Sequence, residues 1–132
     1  MVITRSDRIL GTLVGQALGD SLGVFTEYHS AEQADAELPA FLAHRVTDRT
    51  VFGHPEHFEA GEASDDTDQA LILLESWLEN GCVDPSDVAA RLHHWFITSG
   101  KGVGGHTRKV LNHPAFLEDP EFAAAEVGKT EP

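Results

Sequence analysis

With 132 residues, 41% of them hydrophobic, and six prolines, the chain can bury one core but is short for two comfortable domains. Nine basic against 22 acidic side chains give a formal charge of -13, so a long contact with nucleic acid or an anionic membrane would be repulsive, and neither is expected as a partner. The single cysteine, Cys82, staples nothing within the chain and fits a reducing, cytoplasmic setting; the N-terminus carries Arg5, Asp7 and Arg8, and nothing approaches the roughly 20 apolar residues of a membrane span.

The first apolar period, Ile9, Leu10, Leu13, Val14, Ala17 and Leu18, predicts a helix from about Ser6, taken as N-cap, to about Leu22. Along it Gly11, Gly15, Gly19 and Gly23 recur every fourth residue and form one slowly drifting strip. Each helical glycine costs about 1 kcal/mol relative to alanine, so the strip needs a compensating close approach, and Gly15→Leu is expected to force helices apart. The neighbouring charges favour packing in a core over a membrane-dimer seam. Gly19 and Gly23 also flank Asp20, where they can leave space for a ligand.

Ser30 is expected to cap a short helix through Leu38, ended by Pro39. Phe41 to Ala60 then reads as a long connection, with "FGHPEHFEAGE" as its last part. His54 and His57 are assigned to surface or packing roles rather than to a metal pair, because three-residue spacing in a loop lacks helical geometry.

The stretch "GEASDDTDQALILLESWLENG", Gly61 to Gly81, sets three aspartates in four positions ahead of an amphipathic helix. Ala70, Leu71, Leu74, Trp77 and Leu78 define its expected buried face, and Asn80-Gly81 its stop. Ser64 or Asp66 is the expected N-cap, with Gln69 three residues after Asp66 completing a capping box. Asp65, Asp66 and Asp68 complement the helix dipole, yet three carboxylates in one turn repel one another, and a hard divalent cation relieves that. With Ser64 and Thr67 the segment offers only oxygen ligands, which suits Mg2+, Mn2+ or Ca2+ rather than zinc. On the residues alone, capping and metal binding both stay open.

The next helix has Asp84 as cap, Pro85 at its first position, Asp87 in its first turn and Gly100 as its end. Its buried face is expected to be Val88, Leu92, Trp95 and Phe96, which leaves His93 and His94 as ordinary helical histidines. A glycine-rich loop, "GKGVGGHTRKVL", leads into a short helical segment that stops before His113-Pro114. Asp119 and Pro120 open a last helix, "PEFAAAEV", ending near Gly128. With no hairpin signal and no alternating run, the expected fold is all-α.

The pairing of "GTLVGQALGDSLG" and Glu27 with "GEASDDT" some way downstream resembles the ADP-ribosylglycohydrolase family, and "GVGGHTRKVL" resembles that family's glycine-rich substrate loop. The resemblance implies an orthogonal helical bundle around two Mg2+ or Mn2+ ions. It implies hydrolysis of the bond between ADP-ribose and a protein side chain or related acceptor, so the expected partner is an ADP-ribosylated protein or a small ADP-ribose conjugate. By the same resemblance Ser64, Asp65 and Asp66 are metal ligands, and Glu27, Asp65 and Asp66 form the catalytic group. Asp20 becomes a structural or supporting acid. Gly102, Val103, Gly104, Gly105, His106 and Thr107 would line the diphosphate and distal ribose. The Asn-Gly segment and the second Asp-x-Asp-Thr block of longer members do not occur here. The chain therefore looks like an incomplete bundle, the N-terminal portion of one such domain, whose remaining ligands come from a C-terminal segment or a second chain. A non-catalytic helical module, or an ADP-ribose-binding remnant, is the alternative.

Overall fold

Every regular element over residues 2–24, 26–36, 58 and 62–130, the part described by this computed structural model, is helical, and these residues include no strand. The elements are α1 (Arg5–Gly23), α2 (Asp65–Asn80), α3 (Pro85–Thr98), α4 (Gly105–Leu111) and α5 (Pro120–Gly128), with a further helical stretch over 31–36. No helix among the described residues is long and apolar enough to cross a membrane. The chain divides into two compact units, Met1–Thr67 and Asp68–Pro132.

In the first unit α1 starts earlier than its apolar period predicts. Thr4, not Ser6, is the N-cap: its hydroxyl accepts the Asp7 N–H at 3.2 Å, and the Asp7 carboxylate accepts the Thr4 N–H at 2.8 Å. Such a reciprocal box needs an acceptor side chain three residues after the cap, which Asp7 provides for Thr4 and the apolar Ile9 cannot provide for Ser6. The glycine strip also departs from expectation. A Cβ added at Gly11, Gly15, Gly19 or Gly23 would meet nothing within 4 Å, so among the described residues the strip is no close-packing seam and the basis for the Gly15→Leu expectation is gone. Leu10, Val14 and Leu18 are exposed as well. The face of α1 turned inward is instead Leu13, Ala17 and Asp20, half-buried, followed by the buried Ser21 and Val24. Ser30 and Gln33 form a second capping box, through Ser30 N–H to Gln33 Oε1 at 2.8 Å and Gln33 N–H to Ser30 Oγ at 3.3 Å. The expected end of that helix at Leu38-Pro39, His54, His57 and nearly all of the long connection lie outside the described residues.

In the second unit α3, α4 and α5 pack on one another. Ala89, Trp95, Val103, Leu111, Phe116 and Ala123 are buried there, and Ile72, Leu92, Phe96 and Val110 press against them. The caps follow the sequence: Asp84 Oδ1 accepts the N–H groups of Ser86 and Asp87, and Asp119 Oδ1 accepts that of Phe122, each with proline at the first helical position.

The buried face of α2 is only in part the expected one: Ala70 and Leu74 are half-buried, but Trp77 is 52% and Leu78 68% exposed and Leu71 is exposed too. What faces α3 is the row Asp68, Ile72, Ser76 and Asn80, spaced by four. Asp68 accepts the Trp95 indole N–H at 2.8 Å, Asn80 Nδ2 donates to Asp87 at 2.9 Å, and Ser76 between them is fully buried. Polar anchors at both ends and Ile72 on the core between them accompany this rotation of the helix, and the polar ones escape apolar counting.

Gly100 follows α3 and donates its N–H to the Trp95 carbonyl at 2.7 Å. A Cβ there would lie 2.9 Å from the Phe96 Cα and 3.0 Å from its carbonyl oxygen, both backbone atoms. Gly100→Ala is therefore expected to cost about 1–3 kcal/mol, as overpacking does. Chemical denaturation measures this, and unchanged stability would show that the turn relaxes freely.

Candidate functional site

The first turn of α2 is held from outside by one side chain of α1. Asp20 stands 44 residues before Ser64 and receives four hydrogen bonds. Ser64 Oγ donates to Oδ1 at 2.6 Å; Ser64 N–H, Thr67 N–H and Thr67 Oγ1 donate to Oδ2 at 2.8, 3.1 and 2.6 Å. One turn earlier on α1, Gln16 Nε2 donates to the Asp66 carbonyl at 2.9 Å. Ser64 and Thr67 are buried. Asp20 thereby satisfies the orphan amide of Thr67 that a cap residue within α2 would otherwise meet. The expected Asp66–Gln69 box does not arise, because the helix already begins at Asp65. Burial pushes the Asp20 carboxyl up, but the Ser64 and Thr67 hydroxyls and N–H groups outweigh it and hold it below the ordinary aspartate range.

The three aspartates are not equivalent. Asp68 is engaged by the Trp95 indole, whereas Asp66 is exposed and Asp65 half-buried in the turn that Asp20 anchors. Glu27 is exposed in the turn after α1, its N–H donating to the Gly23 carbonyl at 3.1 Å, and its neighbour Tyr28 takes the left-handed region at φ 68°. Glu27, Ser64, Asp65 and Asp66 belong to the first unit.

The glycine loop belongs to the second unit. Gly102 has φ 78°, a conformation that favours glycine. Val103 is buried in the core, so its side chain is spent on packing and only its backbone is left for a ligand. Gly104, Gly105 and His106 are exposed, and Thr107 is half-buried. Arg108 lies over the Phe96 ring with its guanidinium carbon 5.7 Å from the centroid.

The donor set of Ser64, Asp65 and Asp66 fits a hard divalent cation in kind. It holds only oxygens, and the Ser64 hydroxyl spends its proton on Asp20, which leaves its lone pairs available. It is short in number, since among the described residues no three His, Cys, Asp or Glu side chains gather as a metal-holding group. The residues that sequence reasoning missed are Gln16 and Thr67 as parts of this anchor. A signal for Gln16 existed, since it lies four residues before Asp20 on the same face of α1, whereas Thr67 had none of this kind.

A family model described as ADP-ribosylglycohydrolase matches residues 1–130. An uncharacterized protein of Archaeoglobus fulgidus is 32% identical over 111 residues, covering 81% of this chain and 33% of that protein. The ADP-ribosylarginine hydrolase Tri1 of Serratia proteamaculans is 33% identical over 133 residues, covering 96% of this chain and 32% of its own length. The ADP-ribosyl-[dinitrogen reductase] glycohydrolase of Rhodospirillum rubrum is 27% identical over 103 residues, covering 78% and 33%. The chain thus spans about a third of the length of these relatives. No solved structure matches it significantly.

Proposed function

Because the chain belongs to the ADP-ribosylglycohydrolase family, we propose that it is the N-terminal portion of a hydrolase domain that cleaves the glycosidic bond between ADP-ribose and a protein side chain or related acceptor. The observation that carries this reading is the family match running through both Glu27 and the Ser64-Asp65-Asp66 turn. Exposed apolar side chains support the view that further polypeptide, in the same or a second chain, completes the domain: Leu10, Val14 and Leu18 on α1, Trp77 and Leu78 on α2. A cytoplasmic location fits the unpaired Cys82.

In this reading Ser64, Asp65 and Asp66 hold part of an Mg2+ or Mn2+ site, two ions being expected for the complete domain. The bound ions supply Lewis acidity and fixed positive charge for the ribose hydroxyls and the attacking water. Glu27 takes a proton from that water as its oxygen bonds to C1'' and the bond to the acceptor breaks. Through a transition state of oxocarbenium character the acceptor departs and takes up a proton from solvent, and Glu27 returns to its ionised form by giving the water's proton back to solvent. Backbone N–H groups of Gly102 to Thr107 meet the diphosphate, which offsets the unfavourable field of an acidic chain.

Release of ADP-ribose from an ADP-ribosylarginine conjugate in the presence of Mg2+ or Mn2+ tests the reading; arginine comes first because of the relative's name. The assay uses the chain alone and the chain mixed with the remaining two-thirds of a relative. Turnover that Asp65→Asn and Asp66→Asn each abolish is the expected result. Turnover that survives both substitutions would remove the acid turn from the mechanism. No turnover in either arm would favour a non-catalytic helical module or an ADP-ribose-binding remnant.

A further inference from the structure

We propose that Asp20 is a positioning residue that sets the polarity of the Ser64 hydroxyl, turning it into a lone-pair donor toward a cation; the proposal rests on the metal reading of Ser64 given above. A carboxylate has no proton to give, so across the 2.6 Å contact between Ser64 Oγ and Asp20 Oδ1 the hydroxyl must donate. Its lone pairs are then directed away from Asp20. Among the described residues the Asp66 N–H approaches Ser64 Oγ at 3.5 Å, too long to saturate the oxygen. Without a carboxylate beside it, a serine hydroxyl at a helix start ordinarily turns its lone pairs to the helix N–H groups as a cap. Here Asp20 Oδ2 takes that work over, accepting the amides of Ser64 and Thr67, and Oδ1 aligns the hydroxyl.

The two carboxylate oxygens thus have separable tasks, and Asp20→Asn separates them. Three donors converge on Oδ2 and one on Oδ1, so the asparagine carbonyl is driven to the Oδ2 position, where it keeps the anchor of α2. Its NH2 group falls at the Oδ1 position and donates to Ser64 Oγ. This occupies one lone pair and turns the hydroxyl proton outward, toward where a cation would sit.

The test compares the wild-type chain and Asp20→Asn by calorimetric titration with Mn2+ and by NMR of the metal-free proteins. The expected result is Mn2+ affinity lowered about tenfold or more, as for loss of other outer-shell partners. Amide protection at Ser64 and Thr67 is retained, and the slowly exchanging Ser64 hydroxyl proton of the wild type is lost. Wild-type Mn2+ affinity in Asp20→Asn overturns the proposal and leaves the metal reading standing. A wild-type chain that binds no Mn2+ overturns the metal reading. The hydroxyl proton then decides for Asp20 by itself: equal exchange in both proteins removes the polarity on which the proposal stands. Loss of amide protection in Asp20→Asn would reduce Asp20 to a structural anchor, and Ser64→Ala serves as the control, expected to weaken Mn2+ binding while keeping the Thr67 amide protected.

Discussion

Asp20→Ala is expected to lower folding stability by about 2–3 kcal/mol, near the value of one strong hydrogen bond to a charged group rather than the sum of four. Four donors lose their acceptor, two of them on the buried Ser64 and Thr67 side chains. Asp20 is only half-buried, so water takes over part of the loss and screening reduces the electrostatic share. The pH dependence has a definite sign. The folded-state pKa lies below the ordinary aspartate value, so the folded chain holds fewer protons on this group than the unfolded chain does in that range. The stabilisation is therefore complete above the unfolded-state pKa and is lost as the pH falls through the lower folded-state value. Thermal unfolding of wild type and Asp20→Ala from about pH 6 down to about pH 3 should show a gap that is constant at first and narrows at the acid end. A gap that widens on acidification contradicts the assigned hydrogen-bond pattern.

A larger loss, about 3–5 kcal/mol, is expected for Trp95→Ala. The side chain is buried among Ala89, Val103, Leu111, Phe116 and Ala123, where α3, α4 and α5 meet. Removing it leaves a cavity and also strips Asp68 of its indole donor, 2.8 Å away. Trp95→Phe separates the two effects. It keeps most of the apolar volume, so its cost, about 1–3 kcal/mol, reports mainly the lost N–H to a carboxylate. Urea denaturation gives both values. If Trp95→Ala and Trp95→Phe cost the same, packing around the ring is not what holds this unit together; if Trp95→Phe is neutral, the Asp68 contact does not set the rotation of α2.

These two residues mark where sequence reasoning succeeds and where it stops. Helices α3 and α5 were legible because their signals are local: Asp84 with Pro85 and Asp119 with Pro120 satisfy nearby amides in nearly any tertiary setting. The orientation of α2 was not legible. Leu71, Trp77 and Leu78 look like a buried stripe, yet they are exposed, and a row led by Asp68 and closed by Asn80 faces α3. Periodicity reports that a helix is amphipathic without saying which neighbour offers the better hydrogen bonds. The glycine strip of α1 misled for a related reason, since small residues permit close approach but do not supply the partner.

Chemistry follows the same division. Residue types and order by themselves determined the all-α class, the caps of α3 and α5, the oxygen-only character of the Ser64-Asp65-Asp66 turn and the family, because helix periodicity, side-chain reach to adjacent amides and a contiguous motif are all properties of neighbouring positions. Only the tertiary structure decided that Asp20 anchors that turn, that Asp68 is taken by Trp95 and that Val103 is spent in the core. Each of these depends on which side chain arrives from a distant part of the chain, and a hydrogen bond forms where donor and acceptor meet in space, whatever their separation in sequence.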